Sequence, residues 1–70
     1  MKFTLLTKHL DGSYQAGVMC DQPRMNMTGF EKAYRGGPAD YATQARVRFL
    51  PPGFTVWRAE SGRLFAVSPD

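Results

Sequence analysis

The chain has one histidine, His9, and one cysteine, Cys20, the residue types that most readily support nucleophilic chemistry. A Cys–His dyad requires the two within hydrogen-bond reach. Alternating segments on either side of Asp11-Gly12 place His9 beside a turn and Cys20 opposite Phe3, about six residues or roughly 20 Å apart along the ribbon. The expectation is a small buried thiol and a rim histidine. Paired carboxylates for acid–base work would have to come from Asp11, Asp21, Glu31, Asp40, Glu60 and Asp70, which fall in turns, caps or tails. A lone histidine with scattered carboxylates has no metal-ligand spacing. Gly29, Gly36 and Gly37 lack the preceding strand and the following Lys-Ser/Thr of a phosphate-cradling loop. The sequence therefore predicts a protein that is not an enzyme, with no catalytic residues, metal or cofactor.

Seventy residues suffice for one small domain, residues 1–70. With a single cysteine, an internal disulfide and a cysteine-based metal cluster are both excluded, and a reducing compartment suits the chain. The N-terminal apolar stretch, Phe3 to Leu6, is broken by Thr7, Lys8 and His9, too soon for a secretion signal or a membrane span. A cytoplasmic location with no membrane partner is expected. Nine Lys and Arg against six Asp and Glu give a formal charge of +3, a mild excess that suits an acidic protein surface or nucleic acid.

The elements that would position any functional surface begin with a hairpin. Asp11-Gly12 is the residue pair that best supports a two-residue hairpin turn. That register aligns Phe3, Leu5, Thr7 and His9 with Tyr14, Ala16, Val18 and Cys20 on one face. After a loop over 21–27, Thr28 to Glu31 fits a capping box for a short helix closed by Gly36. Gly37-Pro38 then starts the main helix, with Tyr41, Ala42, Ala45 and Phe49 at helical spacing, ended by Pro51-Pro52-Gly53. A second hairpin spans Phe54 to Val67 around Ser61-Gly62, with Glu60 opposite Arg63 as an exposed ion pair. The predicted fold is α+β, a small antiparallel sheet of two hairpins with one main helix across one face.

In that register Trp57 and Leu64 lie on the outer face with Leu6, Leu10 and Met19, flanked by Arg58, Arg63 and Lys8. Tryptophan and arginine dominate binding hot spots, so Trp57 reads as a buried anchor and Arg58 as the partner of a carboxylate, with Arg63 and Leu64 extending the patch. A register shifted by one residue would instead turn Trp57 to the helix. Aromatics interleaved with arginines also suit single-stranded nucleic acid, the second reading of the same face.

Two segments resemble the very small inhibitor of host RNA polymerase made by lytic podoviruses of enteric bacteria. Leu50-Pro51-Pro52-Gly53-Phe54-Thr55-Val56-Trp57-Arg58 is similar to that family's helix end and following strand, sharing Pro-x-Gly-Phe-x-Val-x-Arg in order. Lys2-Phe3, then Ser13-Tyr14-Gln15 and Val18, resemble its N-terminal hairpin. The resemblance covers about half the chain. It implies a phage protein that takes over a host function by docking on the β′ subunit of bacterial RNA polymerase through a strand arginine, here Arg58, and blocking transcription. Glu60 stands where the family has a second arginine. The residues between about Gln22 and Pro38, and a strand at Arg63 to Val67, are additional. These departures admit another host complex, such as a CRISPR effector, as the target.

Overall fold

In the computed structural model, which describes residues 1–69, two glycines set the register. Gly12 and Gly62 have φ of +88° and +91°, a left-handed conformation that a Cβ disfavours, and each completes a three-residue loop. In the first, the His9 N–H donates to the Ser13 carbonyl at 2.8 Å and the Gly12 N–H to the His9 carbonyl at 3.0 Å. In the second, Ala59 donates to Arg63 at 2.8 Å and Gly62 to Ala59 at 2.9 Å. Both are turns finished by a left-handed glycine bulge rather than the expected two-residue turns. Leu10 and Glu60 join the loops, so Leu6 pairs with Ala16, and Trp57 pairs with Phe65. A one-residue shift exchanges the face of every side chain relative to its partner strand.

The strands are β1 (Lys2–Lys8), β2 (Tyr14–Ala16), β3 (Cys20–Asp21), β4 (Gly36–Pro38), β5 (Val47–Arg48), β6 (Thr55–Ala59) and β7 (Leu64–Ser68); the helices are α1 (Met27–Ala33) and α2 (Tyr41–Ala45). They form one curled, mixed sheet in the order β4-β6-β7-β1-β2-β5, with β3 also on β1. Every pairing is antiparallel except that of β2 with β5. β1 bridges the two halves: its first residues pair with β7, and its last with β2. Strand accounts for 39% of residues and helix for 17%, which overturns the expected α+β fold of two hairpins under one main helix.

The expected main helix fails because its periodic apolar residues are not the ones buried. Tyr41 and Phe49 are exposed, and Phe49 has φ +58°, which no helix accommodates. Ala39, Val47 and Leu50 pack on Val56 and Leu64 instead. Only α2 remains helical, Val47–Arg48 pairs in parallel with Tyr14-Gln15, and Gly36–Pro38 extends the sheet beside β6. Gly36 is required there, since a Cβ would overlap the Arg58 carbonyl. The helix that covers the core is α1. Its cap is Asn26, whose side chain accepts from the Gly29 N–H at 2.8 Å, two residues before the expected Thr28 box.

Both faces of the sheet are therefore covered, not one. Phe30 of α1, 0% exposed, meets Trp57, Ala59, Phe65, Val67 and Met1 on one side. The 39–50 segment covers the other, and β7 is buried along its whole length. Among the described residues, no helix is long and apolar enough to cross a membrane.

Candidate binding groove

On the α1 side, a groove of about 590 Å³ opens between the tip of the β6–β7 hairpin and the joint between β2 and β3. Its floor is aromatic. Phe3 and Phe65 come from neighbouring strands, 6.4 Å between ring centroids, and Tyr34, the C-cap of α1, lies 4.7 Å from Phe65 and 6.3 Å from Phe3. Offset and tilted rings at these separations attract beyond their burial and lock one another's rotamers. Trp57 supports this floor from beneath, because its indole N–H donates to the Tyr34 carbonyl at 2.9 Å.

The wall is built by a β-bulge. Leu6 pairs with Ala16 and Phe3 with Cys20, so Thr4 and Leu5 on β1 face Gly17, Val18 and Met19 on the partner strand. An extra residue bends a strand and re-aims its side chains. The buried Thr4 hydroxyl fixes the bulge by donating to the Val18 carbonyl at 2.8 Å, while Gly17 donates to Leu5 at 3.2 Å. Val18 is left 94% exposed and Leu5 44% exposed, both on the groove. At the opposite rim stand Ser61 and Arg63.

The three-residue loop that buries Trp57 also releases Arg63. With Ala59 opposite Arg63, the expected Glu60–Arg63 ion pair is not among the salt bridges of the described residues, which are Arg48–Asp11 at 2.7 Å and Arg58–Asp40 at 3.5 Å. Arg63 is the one charged residue lining the groove.

The four residues predicted to form one patch are distributed over both faces. Trp57 is 6% exposed and packs edge-on against Phe30 at 5.9 Å. Leu64 is 6% exposed in the other core, beside Val56 and Ala39. Arg58, with its side chain about half exposed, lies on the same face as Leu64 and donates to the Thr43 hydroxyl at 3.0 Å. Arg63 alone reaches the groove. The sequence reading did not single out Phe3, Leu5, Val18, Tyr34 or Phe65 as a site. Gly17 inside a strand pattern was the available signal, since an interior strand glycine marks a bulge or a close backbone approach.

His9 and Cys20 sit at opposite ends of the first hairpin, His9 at the turn with Nε2 2.8 Å from Gln15 Oε1, and Cys20 paired with Phe3. The two perturbed carboxyls lie away from the groove. The Ser13 hydroxyl and backbone N–H, at 2.6 and 2.9 Å, hold Asp11 below the usual carboxylate range, with Arg48 adding to the effect. Asp40 is lowered mainly by the Thr43 hydroxyl, and also by Arg58.

Comparison of the chain with family models, curated proteins and solved structures gives no match.

Proposed function

We propose that this chain is a non-enzymatic, phage-type inhibitor that binds a protein complex in the cytoplasm of a bacterial host, RNA polymerase being the expected target, and so blocks transcription. The observation that carries the reading is the groove: a preformed aromatic floor on paired strands, exposed apolar walls and an arginine without an ion-pair partner among the described residues. Such a site needs little ordering on binding, and ordering is a main cost of association. The resemblance of residues 50–58 to polymerase inhibitors supports the choice of target. Arg58, which that resemblance favours, is on the opposite face and already engaged by Asp40 and Thr43, so binding is assigned to the Arg63 side.

Purified bacterial RNA polymerase core, flowed over the immobilised protein, tests this directly. Wild type and Arg58→Ala should capture the enzyme, and Arg63→Glu should not. Capture lost with Arg58→Ala but kept with Arg63→Glu would move the interface to the opposite face. No capture, with another complex such as a CRISPR effector retained from nuclease-treated lysate, would remove polymerase as the target. Retention of nucleic acid alone, falling steeply with salt as counterions are released, would replace the protein-binding reading altogether.

A further inference from the structure

Resting on that protein-binding reading, we propose that the groove is occupied by an acidic segment of the partner, which inserts one aromatic or branched aliphatic side chain over the Phe3–Phe65–Tyr34 floor and sets a carboxylate against Arg63. Three observations identify this chemistry. The walls present Val18 and Leu5 to solvent at 94% and 44% exposure, apolar area that gains from being covered. The only charge in the lining is positive. Neither ion pair of the described residues, Arg48–Asp11 or Arg58–Asp40, uses Arg63, so its guanidinium is open to a carboxylate of the partner. A carboxylate beside an apolar anchor complements both features at once, and a guanidinium offers it two parallel donors. The volume, about 590 Å³, lies within the roughly 300–1,000 Å³ of small-ligand sites, enough for one large side chain and its flanking backbone.

The bulge makes the shape specific. Thr4 is 3% exposed and its hydroxyl holds the Val18 carbonyl, so the position of Val18 is set from inside the sheet. Thr4→Val keeps the side-chain shape and releases that carbonyl, which should let the wall move.

The test is NMR titration of the ¹⁵N-labelled protein with N-acetylphenylalanine, which carries aromatic ring and carboxylate together, and with its neutral amide. The expected result is amide shifts confined to Leu5, Val18, Tyr34, Arg63 and Phe65, with the carboxylate binding about tenfold more tightly than the amide, as befits one charge-assisted contact. Arg63→Gln, an exposed change that leaves the core intact, should make the two probes equal. Thr4→Val should weaken both. Shifts elsewhere, or equal affinity of the two probes for wild type, would overturn the proposal. Polymerase capture in the binding assay alongside such a result would leave the functional reading standing and remove only this occupant. Groove shifts without polymerase capture would support the occupant and remove the target.

Discussion

Trp57 is held by Phe30 on one side, Phe65 across the strand pair and the Tyr34 carbonyl at its indole nitrogen. Truncating a buried aromatic of this kind removes about 3–5 kcal/mol. The core of a domain of this size supplies roughly the same amount. Trp57→Ala should therefore leave the chain largely unfolded in water, seen as a lost urea transition, whereas Arg63→Glu should stay within about 0.5 kcal/mol of wild type. A cooperative wild-type-like transition for Trp57→Ala would place the indole outside the core. The acidic residues predict a pH effect of definite sign. Asp11 and Asp40 have lower affinity for protons in the folded state than in the unfolded chain. Their contribution is therefore present above the unfolded value of about 3.9 and is lost as pH falls through the folded values. Thermal melts should be insensitive to these groups from neutral pH to about 5, then drop below about 4. The Asp11→Asn, Asp40→Asn double variant should lose part of that acid drop; an unchanged acid limb would rule the two carboxyls out as its source.

The hairpins show what the sequence can and cannot specify about an element. Asp11-Gly12 and Ser61-Gly62 correctly locate both turns, because glycine is the residue that adopts their positive φ without strain. The same dipeptides serve two-residue and three-residue loops, and strand alternation normally decides between them. In β7 it cannot, since Leu64 to Ser68 are all buried and either face could point to the helix. The apolar run Leu64 to Val67 is the mark of a strand covered on both sides. The 37–50 segment departs from its expected helix for a related reason: apolar spacing at 41, 45 and 49 fits a helix, while pairing with β2 and packing of Val47 and Leu50 on the second core override it. Arg63, which lines the groove, is legible in the sequence as an exposed residue of the second hairpin; the place of Val18 on the same groove is not, because a bulge changes the face that alternation assigns. Gly62→Ala should cost about 1–2 kcal/mol through the left-handed conformation alone, with space around it otherwise open. Deleting Glu60 leaves Ser61-Gly62 as a two-residue loop between the same partners, Ala59 and Arg63, so Trp57 should stay opposite Phe65 and a cooperative transition should survive. Chemical denaturation of the two variants checks both outcomes; a lost transition for the Glu60 deletion would mean that the three-residue loop itself is needed to hold the strand pair.

Across the whole molecule, burial is distributed unevenly, and the floor of the groove lies on the more buried part. β7 is buried on both faces between β1 and β6, and these three strands supply Phe3, Leu5 and Phe65 to the site along with Trp57 beneath it. The other wing is thin. β5 has two residues, its parallel pairing with β2 covers Tyr14-Gln15 only, and the ion pair tying it to the first hairpin, Arg48–Asp11, has both side chains more than half exposed, where such pairs contribute little. Opening that wing breaks few buried contacts, while opening β1 from β7 separates the ends of the chain and exposes the aromatic core. Backbone amides of β6, β7 and the first half of β1 should therefore exchange with solvent only through global unfolding, and those of Tyr14–Ala16 and Val47–Arg48 much faster, through local opening. Native-state hydrogen exchange at low denaturant reads this directly, since global exchange follows denaturant steeply and local opening does not. Equal protection of β5 and β7 would show that the sheet opens as one unit. Unequal protection in the expected direction would mean that the aromatic floor of the groove, on β1 and β7, keeps its shape while the wing beyond the bulge fluctuates.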